Sequence, residues 1–310
     1  MAFTNLRMNS RLLTSALLCL LLALSLSTRL FAQGEFTVTI LDVKDHGLCA
    51  VLKTPGGKTW LVDTGRGQAN DFLAARDVIT PFLERAGVKA LDGIVISHPH
   101  ADHYGGLPFF IENHKIGQLV DGGYKEMSGG EIEGYRKIRA RYTDGGGSSV
   151  FVKTGDKLQL DPELEAEILW PPPGLLRSER ITKDGEPYNY NANSVVLRVR
   201  HGANVFLFPG DNHGIAGLAK FMDPEKLKCD LLVSPHHGLN SNASMAEATK
   251  PKFTIVSSLK AYQNPEIHPF ELTKQAFEPV GTKVYATWAH GDITAVSDGK
   301  TIQITTQRQP

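Results

Sequence analysis

A four-layer α/β sandwich, with two β-sheets face to face and helices on their outer sides, is the fold class that the sequence predicts. Strand-like and helix-like segments are mixed in both halves of the chain. There is no internal repeat and no low-complexity linker, and nothing between residues 33 and 305 reads as a domain boundary, so one domain is expected over 33–310. Hydrophobic residues make up 41% of the 310 and charged residues 21%. Those proportions are ordinary for a folded soluble protein and exclude a disordered tail, a collagen and a multi-span membrane protein. The 33 basic and 33 acidic residues balance, which argues against a generally basic nucleic-acid coat while leaving room for a local basic patch.

Residues 1–32 are set apart from the fold. Arg7 and Arg11 precede the apolar run Leu12 to Leu24, and small residues lead to Ala32. This pattern reads as a secretory signal peptide, with an uncleaved anchor as the other reading; the run is short for a membrane span of about 20 residues. Cleavage removes Arg7, Arg11 and Arg29, leaving 30 basic against 33 acidic residues, and places the protein outside the cell or in the periplasm. Of the remaining cysteines, Cys49 and Cys229 each lie in an apolar run and are expected as buried free thiols.

The elements follow in order. Phe36–Leu41 alternates as a strand. Cys49–Leu52 and Thr59–Val62 form a hairpin around Thr54-Pro55-Gly56-Gly57. Asp71–Arg85 carries Phe72, Val78, Ile79 and Phe82 at helical spacing, with Pro81 bending or splitting the helix. Gly93–Ile96 is a buried strand. Strands are predicted at 149–152, 164–169, 194–200 and 204–208, a helix at 213–222, and strands at 230–234 and 253–257. A helix at 269–278, a strand at 282–286 and a hairpin over 292–305 complete the chain. The run 128–147 carries Arg136, Lys137, Arg139 and Arg141. It reads either as a solvated helix face or as a phosphate-attracting lip near the site.

The strongest chemical signal is Ser97-His98-Pro99-His100-Ala101-Asp102-His103-Tyr104-Gly105-Gly106, directly after a buried strand. Imidazole and carboxylate are the ligands that borderline divalent metals take. His98 and His100 share one side and can share one ion. Asp102 and His103 come a turn later and can reach a second ion about 3.5–4 Å away, the usual spacing of two-metal sites.

This His-x-His-x-Asp-His pattern resembles the signature of the metallo-β-lactamase superfamily. Leu61-Val62-Asp63-Thr64-Gly65, Phe208-Pro209-Gly210-Asp211 and Ser234-Pro235-His236-His237-Gly238 resemble its other motifs, in order. Asp42-Val43, Asn193-Ser194-Val195-Val196-Leu197 and Asn264 to His268-Pro269 resemble the soluble metal domain of ComEC-type competence proteins. Phosphorylcholine esterases share part of this pattern. Where a Gly-Gln-Gly-Asp stretch is usual, this chain has Lys44-Asp45-His46-Gly47.

The resemblance implies the αββα fold of that superfamily, two divalent ions (zinc or manganese) and phosphodiester hydrolysis. Asp63 is expected to brace the metal loop rather than bind metal. The resemblance assigns His98, His100, Asp211 and water to the first ion. Asp102, His103, Asp211 and one histidine of the pair 236–237 hold the second. His237 is chosen because the last ligand of the family commonly stands before Gly, which leaves His236 to contact substrate. Many relatives supply a third histidine to the first ion, but here no histidine lies between His114 and His201, and the corresponding loop holds Asn193. Asn193 is expected to face the substrate, where its amide can serve an anionic oxygen. His46 and His201 are read as surface residues in turns, His213 as local to a helix start, and His114 as the complement of a helix end. His268 and His290 are read as possible cleft residues.

A water shared by two divalent ions ionises near neutral pH, its pKa falling from 15.7 to about 7. Asp211 is expected to orient the resulting bridging hydroxide and carry its proton away. Three functions therefore compete. One is phosphodiester hydrolysis on a small anionic substrate or single-stranded nucleic acid. The second is cleavage of a lactam, lactone or thioester. The third is metal-dependent binding without catalysis.

Overall fold

The computed structural model describes residues 34–124, 129–175, 190–260 and 268–309. The segment read as a signal peptide lies outside them. Two large sheets account for most strands. The first has eight strands, in the order Ile302–Thr306, Ile293–Ser297, Phe36–Ile40, Ala50–Lys53, Thr59–Val62, Gly93–Val95, Leu119–Asp121 and Ser149–Phe151. The second has seven, in the order Lys283–Ala286, Phe253–Val256, Leu231–Val233, Asn204–Phe208, Val196–His201, Glu165–Trp170 and Lys157–Leu158.

Each sheet changes character along its width. Hairpins give antiparallel pairs at one side, such as Ala50 opposite Val62 and Val199 opposite Phe206. Crossovers through helices give parallel pairs at the other, such as Val62 with Val95 and Leu232 with Thr254. Strands that run parallel end at the same side of their sheet, so the loops leaving Val62, Val95, Phe208 and Val233 are available to build one site.

The core is layered accordingly. Phe36, Val38, Ile40, Leu52 and Trp60 from the first sheet interdigitate with Ile168, Leu197, Val199, Phe206 and Phe208 from the second. Phe36 and Phe206 meet edge to face with centroids 5.0 Å apart. The opposite face of the first sheet is covered by Leu83, Leu107, Phe110, Ile132 and Tyr135. The opposite face of the second is covered by Ile215, Leu218, Met245, Ala246 and Phe277. These are the four layers α, β, β, α that the sequence predicts. Cys49 and Cys229 are buried and free, in separate outer clusters.

Several elements differ from expectation. The helix placed at Asp71–Arg85 is ordered from Ala75, as a π-helical turn Ala75–Ile79 that passes into an α-helix at Thr80–Arg85. The change falls beside Pro81, which has no N–H to offer the preceding turn. The segment placed at 213–222 is a 3-10 helix, Ile215–Lys220. The strand Leu119–Asp121 and the helix Ala243–Thr249 were not anticipated. Leu119–Asp121 is three residues long and buried on both faces between parallel neighbours, so it shows no alternation. His201 is not a surface turn residue: it ends a central strand, is fully buried, and its Nδ1 lies 2.9 Å from Ser297 Oγ.

Phe206 is fully buried at the seam between the sheets. Phe206→Ala is expected to lower unfolding stability by about 3–5 kcal/mol, through lost transfer energy and a residual cavity. Denaturant titration of both proteins measures it.

Candidate metal centre

The four strand ends deliver one residue group each. After Val62 the chain turns through Asp63, whose φ is 62° and which is fully buried. Its Oδ1 accepts the Ser97 N–H at 2.7 Å, and its Oδ2 accepts the Ser97 hydroxyl at 2.7 Å and the His103 Nδ1–H at 2.8 Å. Asp63 thus ties the end of one strand to the loop after the next. It also orients the His103 ring so that Nε2 faces inward.

The loop after Val95 carries His98, His100, Asp102 and His103. His98 and His103 are fully buried. His98 Nδ1 lies 3.0 Å from Ser97 Oγ, and its Nε2 is 2.8 Å from His100 Nδ1 and 3.5 Å from Asp211 Oδ2. His103 Nε2 is 3.2 Å from Asp211 Oδ1. Asp211 therefore turns one oxygen toward His98 and the other toward His103, the posture of a carboxylate shared by two positions. It reaches this place because Gly210 has φ 54° and no side chain. A Cβ there would fall 2.7 Å from Ser97 Cβ and 2.9 Å from Ser194 Cβ.

The loop after Val233 is strained where it matters. His236 and His237 both have left-handed backbones, at φ 52° and 54°. Such conformations cost roughly 1–3 kcal/mol each for residues other than Gly. The strain turns the two neighbours to different jobs. His237 is 3% exposed; its Nδ1–H donates to Ser257 O at 3.0 Å, and its Nε2 points inward, 3.2 Å from both Asp102 Oδ2 and His103 Nε2. His236 is partly exposed at the mouth, with Nε2 3.4 Å from Asn191 Nδ2 and 3.9 Å from Asp211 Oδ2. His237 is thus the inward member of the pair.

The electrostatics follow from packing these groups in a dry place. Burial opposes the charged form of His103, yet Asp211, Asp102 and Asp63 around it outweigh this and push its pKa well above normal. Burial opposes ionisation of Asp211, but His103, His98 and His237 hold its carboxyl well below the usual range. His98 is pushed well down, first by burial and then by the nearby His103.

Two groups of donors could each hold a cation: His98 with His103 and Asp211, and His46 with Asp102 and His237, the atoms of each group lying within 4.8 Å of one another. Donors on a tetrahedral ion with bonds of about 2.0–2.1 Å stand about 3.3–3.4 Å apart. The contacts of 3.2, 3.5 and 3.8 Å around Asp211 bracket that value. Second nitrogens committed to a carboxylate, a hydroxyl or a carbonyl are the further mark of metal-ready histidines. The residues present therefore fit divalent metal.

His46 corrects the sequence reading. It is not a plain surface residue: its Nε2 lies 3.3 Å from Asp102 Oδ2, and its ring centroid is 4.2 Å from that of His237. Burial, then His237, lowers its pKa to about 4. The trace of this in the sequence was the Lys44-Asp45-His46-Gly47 stretch that departs from the resembled pattern. Glu131, 3.7 Å from His100 Nε2, and Tyr190, whose ring lies 5.2 Å from that of His100, were also not anticipated.

Other candidates are placed elsewhere. Asn193 is fully buried in the turn Asn191–Asn193, and it is Asn191 that reaches a site histidine. His268 caps a helix: its Nδ1 accepts the Phe270 N–H and its Nε2 donates to Leu259 O. His290 closes a short turn on Ala286. Among the described residues neither joins a metal-donor group, and both bond backbone atoms. His213 Nδ1 lies 3.2 Å from the Asp211 carbonyl oxygen and is local, as read. His114 ends the helix Leu107–Asn113 and meets Thr80 Oγ1 at 2.9 Å.

The basic run lies on the helix Gly130–Asp144, and its arginines have partners within the chain. Arg136 pairs with Glu133, Arg139 with the buried Asp121, and Arg141 with Glu112. Lys137 is exposed. The run is a helix face engaged with its own protein, and the phosphate-attracting lip is not supported.

Residues 43–251 match the metallo-beta-lactamase superfamily. The chain belongs to that superfamily. Its members include metal-dependent hydrolases that use divalent ions, as the His/Asp groups here would allow. Two curated relatives are competence proteins. ComE operon protein 3 of Bacillus subtilis (strain 168) is 25% identical over 247 residues, 78% of this chain and 29% of the relative. Competence protein ComA of Neisseria gonorrhoeae is 27% identical over 263 residues, 82% of this chain and 31% of the relative. The chain thus spans about three-tenths of the length of these relatives. Among solved structures, Tm1679, a metal-dependent hydrolase of the beta-lactamase superfamily, shares the fold with a TM-score of 0.51 and 16% identity, over 83% of this chain and 98% of that one.

Asp63→Asn keeps the shape of the brace but removes its charge and one acceptor oxygen. It is expected to lower metal affinity about 10–100-fold, the usual effect of losing a ligand's outer partner. Chelator competition on the variant and the parent checks it.

Proposed function

We propose that the protein is a two-metal phosphodiesterase of the metallo-beta-lactamase superfamily that acts outside the cytoplasm on a small anionic phosphodiester or on single-stranded nucleic acid. The observation that carries the reading is the posture of Asp211, which groups with His98 and His103 while its Oδ1 also lies 3.8 Å from His237 Nε2 of the second donor group. A carboxylate shared in this way suits two cations close together, the arrangement that clamps the attacking and leaving oxygens of an in-line phosphoryl displacement. The similarity to competence proteins supports the same class of substrate.

In this reading His98, His100 and Asp211 would hold one ion, and Asp102, His103, His237 and Asp211 the other, with zinc or manganese equally suited by donor type. When bound, the ions supply charge neutralisation and a water acidic enough to serve as nucleophile at neutral pH. The rest falls to the chain. Asp211, ionised and buried, orients the attacking water and accepts its hydrogen bond. Asp63 and the Ser257 carbonyl engage Nδ1 of His103 and His237, which leaves Nε2 of each ring as the atom that would meet an ion. His236, at the mouth beside Asn191, is placed to meet an oxygen of the substrate.

The test compares kcat/KM for bis-p-nitrophenyl phosphate and for nitrocefin, with zinc or manganese present and Asp211→Ala as the blank. Phosphodiester turnover well above the blank and nitrocefin turnover near it are expected. The reverse result would overturn the proposal in favour of lactam hydrolysis.

The extracytoplasmic location has its own test. Protein secreted from a bacterial host is expected to begin at or near Gln33. An intact mass that retained residues 1–32 would exclude cleavage.

A further inference from the structure

We propose that His46 is itself a metal donor, completing with Asp102 and His237 an outer position beside the inner one around His98 and Asp211. The proposal rests on the two-metal reading above and adds a residue to it. Asp102 Oδ2 stands 3.3 Å from His46 Nε2 and 3.2 Å from His237 Nε2. One oxygen thus sits nearly midway between two ring nitrogens, and the three atoms form one of the two donor groups among the described residues.

The loop that carries His46 is pinned against the site. Gly47 packs so closely on the metal loop that a Cβ would fall 2.7 Å from Asp102 O and 2.9 Å from Arg66 N. Leu48 N–H donates to Asp102 O at 3.3 Å. Ser257 binds both histidines into one frame: its hydroxyl donates to Gly47 O at 2.8 Å, and its carbonyl accepts from His237 Nδ1 at 3.0 Å. Asp45 Oδ1 accepts the His46 N–H at 2.6 Å. Each contact limits how far the ring can leave Asp102, so little ordering remains for a cation to impose.

The two positions meet at His103, whose Nε2 lies 3.2 Å from both His237 Nε2 and Asp211 Oδ1. The outer one draws on His46, His237 and Asp102, of which His46 and Asp102 are half-buried, and the inner one on the buried His98 and Asp211. Two uptake steps are therefore expected, and loss of His46 is expected to act on one of them.

The test reads metal rather than turnover. Chelator-stripped protein is titrated with Co²⁺, following visible absorption and competition with a chromophoric chelator. The parent should take up two ions in separate steps. His46→Gln, which keeps an amide able to hydrogen-bond Asp102, should weaken one step about 100-fold or more and alter its spectrum, beyond an ordinary outer-partner effect. His46→Asp, which returns a donor of a different class, should restore two steps with a shifted spectrum. Two separate steps in the parent, with both variants binding Co²⁺ at parental affinity and with parental spectra, would overturn the role of His46 and leave the two-metal reading standing. A parent that takes up no Co²⁺ would overturn both.

Discussion

The buried carboxylate of Asp63 is the constraint on which the rest of the site depends. It has no accessible surface, and its two oxygens accept three hydrogen bonds, two from Ser97 and one from His103. An ionised carboxylate removed from water is tolerated only when its acceptors are filled. Here the groups that fill them belong to the loop that bears the histidines. Solving the burial problem of one side chain therefore sets the position of the loop, and the position of the loop sets the direction of His103.

From that anchor the remaining groups are held in pairs. His237 is set by Ser257, His98 touches Ser97, and Asp211 stands where Gly210 lets the backbone press on Ser97 and Ser194. The result is a dry cluster in which the neighbouring histidines hold the Asp211 carboxyl well below the usual range and the surrounding carboxylates push His103 well above its own. A divalent ion meets the same demand with more charge. That is why a cluster so costly to assemble without a ligand is economical with one.

The sandwich contributes direction. Parallel strands from both sheets end on one side, and their loops bring residues from Asp63 to His237 to one place. The left-handed turns at His236 and His237 show strain retained where it separates two adjacent side chains, one inward and one at the mouth. A fold stabilised by the Phe36–Phe206 seam can carry such local costs.

The sequence by itself determined the layered fold and the inner donors, because both are written in short-range patterns. Strand alternation reveals a half-buried sheet, and His98, His100, Asp102 and His103 fall within six residues at the end of one strand. Tertiary structure alone decided three other points. His46 became a site residue because Gly47 packs on Asp102, an approach with no local signature. Arg139 was withdrawn from any anion-binding role by Asp121, a carboxylate buried on a strand too short to show its period. His201 was taken out of water by Ser297, 96 residues away. A side chain's type and spacing state what chemistry it can do, while its partner, and hence its pKa and direction, depends on which distant backbone the packed sheets bring against it.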